Sequence, residues 1–466
     1  MGTYGIDYPD VPDVDPFAPA SLAEVHAVFQ KWLGHDYDLD ALNATLAAAA
    51  VERLDGDPLW LLVISGSGNA KTETVQALGG SGALLVSTIT SEGALLSATS
   101  KKEVAKDATG GLLREIGDSG VLVIKDVTSI LSMGRDQRAQ VLGALREVYD
   151  GAWTRSVGTD GARRLHWSGR IALVGAVTTA WDTAHAVIAS MGDRFVLLRM
   201  DSTRGRQDAG RRAIGNTGSE TAMRAELSEA VTAALAAVDP AAGIDVTEDE
   251  TDRLLAAADL VTRARTGVEY DTKGDVIDAH APEMPTRFAK QLAQVVRGGV
   301  AIGMDRDDAM RLAIRCARDS MPPLRLAIVD DLAEHPESTT AQIRKRINKP
   351  RTTVDRQLQA LHILEVLDVD EEETERAGRA VTVWRYRLAD GVTPGALDPD
   401  PVPEMSVGMR SSDVAPYVGR VGSDKSGTET DLSGWHVPDG PGRCQTCGLH
   451  IEKQGHRPEC PEAGAA

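Results

Sequence analysis

A run of apolar residues that leads into a glycine-rich turn constrains this chain more than any other feature. The run Trp60–Ile64 is typical of a buried strand, and the turn after it ends at Lys71-Thr72. In such a strand–turn–helix, backbone N–H groups point at phosphate oxygens, a lysine reaches the β- and γ-phosphates, and a hydroxyl binds Mg²⁺. The pattern G-x-x-x-x-G-K-[ST] is met except at its two glycines, where Ser65 and Ala70 stand. The alternative is an ordinary strand-to-helix turn. We predict a site for ATP and Mg²⁺ formed by Ser65, Gly66, Ser67, Gly68, Asn69, Ala70, Lys71 and Thr72.

Composition limits the class of protein. The chain has 466 residues, of which 42% are hydrophobic, so it is long enough for two or three domains with full cores. It lacks an apolar run of membrane-spanning length, and residues 1–20 contain no Lys or Arg, so we expect no membrane partner and a cytoplasmic protein. A net charge of −19 argues against a surface that coats nucleic acid nonspecifically, but it leaves a local basic patch open.

Five short apolar runs alternate with helical patterns in the first half of the chain. Near-continuous apolar strands separated by helices indicate a parallel sheet covered on both faces, so we expect the α/β class with a five-stranded core. The runs are Leu59–Ile64, Ala83–Ile89, Val121–Ile124, Ile171–Val177 and Phe195–Met200.

The remaining patterns divide the chain further. A polar loop around 266–285 interrupts a helical region, and the order helix, short helix, helix, ribbon after Pro322 is typical of a winged helix-turn-helix. The expected domains are a disordered acidic tail (1–20), a helical N-terminal segment (21–57), the P-loop core (58–201), a helical lid (202–321), the winged helix-turn-helix (322–390), a flexible linker (391–440) and a zinc-binding module (441–462).

Further sequence blocks follow the glycine-rich turn in a fixed order. The blocks are Thr88–Ala98, Gly120–Asp126, Ile171–Thr179, Met191–Phe195 and Met284–Arg287. Together they resemble the AAA+ ATPases of the branch that contains the minichromosome-maintenance (MCM) helicases and the MoxR-type ATPases. The resemblance spans roughly residues 58–320, and those families also tolerate an alanine before the P-loop lysine. It implies an ATP hydrolase.

The resemblance also implies catalytic roles. Asp126 ends the Walker B strand, and Thr178 stands at sensor 1, where MCM proteins usually carry Asn. Arg194 corresponds to the arginine finger supplied by an adjacent subunit, and Arg287 to the sensor 2 arginine acting in cis. An arginine supplied in trans stabilises the charge of the transition state, so hydrolysis would require a ring or at least a dimer. The expected partner is therefore a second copy of the chain, in a ring that could be a hexamer. The alternative for Arg194 is a surface arginine in a strand-entry turn.

One departure from the family pattern concerns the catalytic acid. The family's Walker B strand ends in Asp-Glu, whereas this chain has Lys125-Asp126. Asp126 then serves one role or both, and Glu92 and Glu147 are the alternative acids. We therefore expect ATP binding with slow turnover, and an inactive ATPase remains the alternative.

A predicted hairpin lies between the Walker B and sensor 1 blocks. Residues 153–167 alternate around an Asp-Gly turn, which is typical of a β-hairpin. In the MCM branch, a hairpin at this place grips DNA, so the candidate phosphate contacts are Arg155, Arg163 and Arg164. The alternative is a solvated hairpin held by packing tryptophans.

The predicted winged helix carries a local basic face. Residues 339–364 contain six Lys or Arg and one Asp. The candidate DNA contacts are Arg344, Lys345, Arg346, Arg351, Thr352, Thr353 and Arg356. The wing contains Asp370-Glu371-Glu372-Glu373, which would repel a DNA backbone, so a protein-docking module is the alternative.

A Cys/His cluster lies near the end of the chain. The spacing Cys444-x₂-Cys447-x₈-His456-x₃-Cys460 offers two pairs of ligands, as tetrahedral Zn²⁺ requires, and His450 could replace His456. We predict a structural zinc module.

Taken together, the sequence favours a ring-forming, ATP-driven translocase or remodeller of DNA that resembles the MCM helicases. The alternatives are a nucleotide-switched DNA-binding transcriptional regulator and a MoxR-like protein remodeller.

Overall fold

The five apolar runs form one parallel sheet in the computed structural model, which describes residues 21–98, 109–158, 163–183, 194–376 and 379–400. The first seven described strands are β1 (Trp60–Ile64), β2 (Leu84–Val86), β3 (Ser119–Ile124), β4 (Ala152–Val157), β5 (Arg163–Ser168), β6 (Arg170–Val177) and β7 (Val196–Arg199). The sheet order is β2-β3-β6-β1-β7, and every neighbouring pair is parallel. This confirms the α/β class and its five-stranded sheet. β4 and β5 form a separate antiparallel hairpin, as the alternating pattern predicts.

The sheet is buried on both faces because helices cover each of them. All five residues of β1 are buried, and their side chains alternate between two apolar cores. Leu61 and Val63 belong to the first core, whereas Trp60, Leu62 and Ile64 belong to the second. This explains why the strand sequence is continuously apolar rather than alternating.

Helices account for most of the remaining described chain. The bounds up to the end of the core are α1 (Leu22–Leu33), α2 (Leu39–Val51), α3 (Lys71–Gln76), α4 (Glu92–Leu95), α5 (Leu112–Ile116), α6 (Thr128–Leu131) and α7 (Arg135–Tyr149). Those that follow are α8 (Arg206–Gly215), α9 (Glu220–Ala236), α10 (Glu248–Arg265), α11 (Thr286–Ala301), α12 (Arg306–Asp319), α13 (Pro323–Glu334), α14 (Thr340–Arg346) and α15 (Arg351–Ile363). None of the helices within the described ranges is long and apolar enough to cross a membrane.

The segment expected to be a polar loop within the helical region contains a small hairpin. β8 (Val268–Tyr270) pairs antiparallel with β9 (Val276–Ala279), and the turn is held by the Asp271 carboxylate, which accepts the N–H groups of Lys273 and Asp275 at 2.8 and 2.9 Å. The strands are too short for alternation to be recognised in the sequence, so the hairpin within the predicted polar loop was not anticipated.

The C-terminal part of the described chain contains three helices and a small antiparallel sheet. The sheet has the order β10-β12-β11, formed by β10 (Ser338–Thr339), β11 (Leu367–Arg376) and β12 (Arg379–Leu388). The helices α13, α14 and α15 lie where helices are expected from sequence. Thr339 begins α14 with a capping box in which the Gln342 side chain accepts the Thr339 N–H at 2.8 Å.

This C-terminal part shares a core with the helical region before it. Arg325 of α13 is 6% exposed and donates to the carbonyls of Ala264 and Thr266, both at 2.7 Å. It also donates to the Gln357 side chain of α15 at 2.9 Å. One buried guanidinium of α13 therefore joins the end of α10 to α15 of the C-terminal part.

Residues 391–400 of the predicted linker include a 3₁₀ turn, Pro394–Leu397, whose Leu397 is buried. Residues 1–20 and 401–466, with the predicted acidic tail, the rest of the linker and the zinc module, lie outside the described residues.

Candidate nucleotide site and nucleic-acid interface

The glycine-rich turn leaves the sheet at the end of β1, a wholly buried strand that lies between β6 and β7. Ser65 continues β1 and donates its backbone N–H to the Val177 carbonyl of β6 at 3.3 Å. Ala70 begins α3 with φ 53° and ψ 0°, the left-handed conformation in which glycine avoids the steric cost borne by other residues. The glycine preference of this position in the motif thus has a backbone cause, and the alanine adopts the same geometry.

The turn offers donors to an anion. Among the described residues, the backbone N–H groups from Gly66 to Thr72 have no hydrogen-bond acceptor, and the Lys71 ammonium donates to the Gly66 carbonyl at 3.0 Å. Burial lowers the pKa of Lys71, and the nearby charge of Asp126 opposes that shift. A cation and a set of open N–H donors therefore lie on one turn, an arrangement that suits phosphate oxygens.

Asp126 and Thr178 lie close together beside this turn. Asp126 accepts the backbone N–H of Thr128 at 3.0 Å, and the Thr128 hydroxyl accepts the Thr178 N–H at 3.1 Å. The Thr128 and Thr178 hydroxyls are 3.3 Å apart. Because β3 and β6 are neighbours and end at the same edge as β1, the predicted acid, sensor and P-loop share one edge of the sheet.

The two alternative acids lie elsewhere. Glu92 follows the edge strand β2, three strands and about 14 Å from β1. Its carboxylate accepts the Arg155 Nε at 2.9 Å and forms an ion pair with that side chain. Glu147 is exposed and lies two residues before Tyr149, whose ring packs at 5.3 Å on Trp60, at the start of β1 rather than at the P-loop. The geometry favours Asp126 as the acid of this edge.

The end of β7 supports the turn from its other side. The Asn69 amide donates to the Asp201 carbonyl at 3.3 Å, and a side chain at Gly66 would lie 3.4 Å from the Ser202 hydroxyl. Ser202 therefore lies beside the turn, at the distance of an ordinary van der Waals contact from a Cβ placed at Gly66.

An ion-pair network fixes the last residue of β7. Arg199 makes a bidentate pair with Asp182 at 2.7 and 3.0 Å, and its N–H donates to the Asp319 carboxylate at 2.8 Å. Arg315 donates to Asp38 at 2.6 Å and to the Arg199 carbonyl at 3.1 Å. Burial acts against the Arg315 charge, but the bonds to Asp38 and Asp40 outweigh it and raise the pKa of Arg315. The network ties β7 to the N-terminal helices and to α12.

Arg194 and Arg287 lie at the opposite end of the sheet, where β1 begins rather than where it leads into the P-loop. The Arg194 guanidinium pairs with Asp150 at 3.0 Å and lies 5.8 Å from the centre of the Tyr149 ring. Burial raises the pKa of Tyr149 to about 12, whereas Arg287 and Arg194 both act against that shift, so both cations lie near the same phenol. Arg287 also pairs with Glu283 at 3.5 Å.

This position separates Arg287 from the P-loop of its own chain, whereas the resemblance implies a role in cis. Tyr149 packs on Trp60, the first residue of β1, whereas the P-loop follows Ile64. The strand between them is about 13 Å long. Arg287 and Arg194 therefore lie near the start of β1, because α11 begins beside Asp57 at the entry to that strand, where Lys290 pairs with Asp57 at 3.1 Å.

The hairpin between β3 and β6 is anchored at its base. Trp153 and Trp167 are register partners and both buried, and the Trp167 indole donates to the Gly117 carbonyl at 2.7 Å. Arg155 is 17% exposed and is held by Glu92 and by the Leu96 carbonyl. Arg163 and Arg164 lie nearer the turn, and neither has an ion pair within the described ranges.

The cations predicted to contact DNA fall into two groups. Arg346 pairs with Asp331 through two 2.7 Å bonds, and Arg356 donates to the Lys273 carbonyl at 2.7 Å. The other group is exposed at the turn between α14 and α15 and consists of Arg344, Lys345 and Arg351. Lys349, which was not among the predicted contacts, is exposed in the same turn, and none of the four makes an ion pair with any part of the chain that the structure describes. We call these four residues the cationic turn. Thr352 and Thr353 are exposed in the first turn of α15, so they border it.

No protein-family model matches this chain, and no curated protein matches it. Among solved structures, the one titled "The A form apo structure of NrS-1 C terminal region-CTR" matches with a TM-score of 0.23 and 10% identity, over 82% of this chain and 79% of that chain. A likeness at that level carries no argument, so the site is judged on its own geometry.

Several residues of the site were not predicted from the sequence. Thr128, Asp201 and Ser202 contact the predicted residues but lie outside the blocks that carry the family resemblance. The D-x-T-S order at Asp126 is a typical local turn signal and was the one available clue to Thr128. The predicted zinc ligands Cys444, Cys447, His456 and Cys460 lie outside the described residues and stay a prediction.

Proposed function

We propose that this chain is an ATPase of the AAA+ type that couples nucleotide binding to translocation on DNA or to its remodelling. The observation that carries the proposal is the convergence of three elements at one sheet edge: open N–H donors of the glycine-rich turn, the Lys71 ammonium, and the Asp126 carboxylate linked through Thr128 to Thr178. Phosphoryl transfer needs little more from a protein than positioned donors, cations and an acid that orients water.

The residues present fit a nucleoside triphosphate with its Mg²⁺ ion. The exposed Thr72 hydroxyl and the exposed Asp126 carboxylate are oxygen ligands of the type that Mg²⁺ prefers, and they would hold it. When bound, Mg²⁺ neutralises charge on the β- and γ-phosphates. Lys71 would stabilise the same oxygens, and Asp126 would accept a hydrogen bond from the attacking water.

Lys125 supports slow turnover. It occupies the position where the family carries a carboxylate, its backbone N–H is bound to the Val86 carbonyl at 2.9 Å, and its side chain is half-buried. A cation there supplies no ligand for Mg²⁺ and repels it, so one carboxylate serves where the family uses two.

Arg194 and Arg287 support a catalytic role across a subunit boundary. Both lie at the edge opposite the chain's own P-loop, where they could reach the phosphates bound by a neighbour in a ring. Each is paired with a carboxylate of its own subunit, which fixes the guanidinium before the neighbour arrives.

The cationic turn supports DNA as the second partner. Four exposed cations and two hydroxyls surround the first turn of α15, and Arg325 couples this fold to the helical region that would move with nucleotide. This coupling also favours the second candidate function, a nucleotide-switched DNA-binding regulator. A motor is expected to hydrolyse ATP faster on DNA, whereas a regulator is expected to bind one sequence without stimulation.

The decisive test compares Lys71→Ala with Lys273→Ala, which removes an exposed lysine remote from the turn. We expect Lys71→Ala to lose binding of a fluorescent ATP analogue and Lys273→Ala to keep it. Equal binding by the parent and Lys71→Ala would exclude the P-loop assignment. Turnover is then measured with single-stranded DNA, duplex DNA and neither.

Complementation tests the subunit boundary. Arg194→Ala and Lys71→Ala are each expected to be inactive alone. If Arg194 acts in trans, a mixture of the two regains part of the parental turnover, because some boundaries pair an intact P-loop with an intact Arg194. A mixture as inactive as its components would exclude the trans role.

DNA contact is tested at the cationic turn. Neutralising Arg344, Lys345 and Arg351 together is expected to reduce the dependence of log affinity on log salt by about 0.9 per lost duplex phosphate contact. Arg346→Ala is the matched control, because its guanidinium already pairs with Asp331. Equal salt dependence in the parent and the triple variant would contradict the proposal.

A further inference from the structure

The ribbon formed by β11 and β12 carries different charge patterns on its two faces. On one face, Arg385 pairs with Glu372 at 2.6 Å, and Arg387 pairs with Asp368 at 2.9 Å and with Asp370 at 3.5 Å. These cross-strand pairs set two arginines against three carboxylates, so most of the charge of that face is neutralised within the chain itself.

The other face begins inside the core and continues beyond it. At its base, Tyr386 lies opposite Val369 and is 1% exposed. Farther out, Trp384 lies opposite Glu371, and Thr382 lies opposite Glu373. We call Trp384, Glu371 and Glu373 the acidic aromatic face.

This acidic aromatic face is open to solvent. Trp384 is 43% exposed, and both glutamates are exposed without an ion pair among the described residues. A tryptophan ring attracts cations over its face, and adjacent carboxylates strengthen that attraction. The surface is therefore suited to Lys or Arg side chains, whose aliphatic stems cover the ring while their charged ends reach the glutamates.

The same chain carries a surface of this kind at the cationic turn. Arg344, Lys345, Lys349 and Arg351 are exposed, and none of them pairs with the part of the chain's own ribbon that the structure describes. By contrast, Arg346 and Arg356 are already bound to Asp331 and to the Lys273 carbonyl. One chain thus carries two surfaces of complementary charge, the acidic aromatic face and the cationic turn, which do not pair with each other within the described residues.

We propose that the acidic aromatic face docks on the cationic turn of a second copy of this chain. The contact joins two different surfaces, so it closes into a dimer when it is reciprocal and extends when it is not. Charge complementarity of this type sets specificity and association rate and weakens with salt. The proposal needs neither nucleotide nor hydrolysis, so it stands apart from the proposed ATPase.

The contact also covers the cations proposed to bind DNA. Self-association and DNA binding then compete for one surface, and duplex DNA is expected to dissociate the copies.

Charge reversal tests the proposal on the full-length chain without nucleotide. The ribbon variant carries Glu371→Lys and Glu373→Lys, and the turn variant carries Arg344→Glu and Lys345→Glu. Sedimentation of each variant alone is expected to show self-association weakened by about tenfold or more, because like charges then face each other. Mixed in equal amounts, the two variants are expected to associate with each other, since each now presents the charge that the other lacks.

Two controls separate this outcome from misfolding and from general charge. Glu229→Lys with Glu248→Lys changes net charge as the ribbon variant does, at exposed sites remote from the ribbon, and is expected to associate like the parent. Trp384→Ser keeps every charge and is expected to weaken association. A monomeric parent, parental association in both reversed variants, or failure of the mixture to associate would each overturn the proposal. Binding of an oligolysine peptide to a monomeric parent would overturn it in favour of a different cationic protein.

Discussion

The Thr128 hydroxyl accepts the backbone N–H of Thr178 at 3.1 Å and so joins the segments that leave β3 and β6. Asp126 accepts the Thr128 N–H, and its own N–H donates to the Ser87 carbonyl at 3.0 Å. The acid is therefore positioned by a backbone bond to the segment after β2 and, through Thr128, by a link to the segment after β6. Such a carboxylate loses little freedom when a substrate binds, which is what a positioned acid requires.

Asp126 and Glu92 are expected to respond differently to neutralisation. Asp126→Asn should retain ATP-analogue binding and lose hydrolysis, because the amide is a poor base. Glu92→Gln should retain hydrolysis, because Glu92 is paired with Arg155 of the β4–β5 hairpin. Steady-state turnover and nucleotide binding of both variants check this. Loss of turnover in Glu92→Gln alone would reverse the assignment.

Lys125→Asp is expected to raise turnover. The change restores the carboxylate of the family pattern and removes a cation from the vicinity of Mg²⁺. Lys125→Met serves as the control, since it removes the charge without adding a ligand. If the aspartate and methionine variants turn over equally, the missing carboxylate is not what limits the reaction.

Ala70→Gly is expected to stabilise the fold slightly. Ala70 has φ 53°, and release of the left-handed strain is partly offset by the greater entropy of glycine in the unfolded chain, which leaves up to about 1 kcal/mol. Ala225→Gly, at an exposed position inside α9, should instead lower stability by about 1 kcal/mol. Urea unfolding of both variants measures the difference, and equal destabilisation would contradict the strain at Ala70.

Arg325→Met is expected to cost about 2–4 kcal/mol, because it leaves the buried carbonyls of Ala264 and Thr266 without their donor. The exposed Arg351→Met should change the free energy of unfolding by less than about 0.5 kcal/mol. Thermal unfolding checks both. Limited proteolysis between α12 and α13 should become faster in the Arg325 variant, and unchanged cleavage would argue against its docking role.

Glu52 should make stability depend on pH. Burial raises the pKa of Glu52 from 4.5 to about 7, and Arg170 opposes the shift. Because the folded state holds this proton more tightly than the unfolded state, its contribution to the free energy of unfolding falls as pH rises from 4.5 to about 7. Glu52→Gln should flatten that slope, whereas Glu147→Gln, at an exposed acid, should not. Urea midpoints across this range measure the effect, and an unchanged slope in Glu52→Gln would contradict it.

The sheet was predictable because buried parallel strands leave a continuous apolar signal. All five runs became strands, and β1 lacks a single exposed residue. The hairpin at β8 and β9 was missed because strands of three and four residues carry too few side chains to show a period.

The candidate site was predictable in composition but not in arrangement. The turn at Ser65–Thr72 is local, so its residues could be read together. The edge at which Arg287 lies depends on how α11 packs beside Asp57, and contacts between residues so far apart in sequence leave no local signal. The same holds for Arg325, whose acceptors Ala264 and Thr266 are separated from it in sequence by a hairpin and two helices.

The alternation along β1 has a consequence for how mutations combine. Leu62 and Val63 are adjacent in sequence, yet each packs in a different core on opposite sides of the sheet. Truncations at these two positions should therefore have nearly additive effects on the free energy of unfolding, as sites without shared partners do. Val63 should couple instead with Val123, which lies two strands away but packs in the same core. In this fold, the face of the sheet on which two side chains lie decides whether their mutational effects are coupled. One face can therefore be repacked while the other is left as it is.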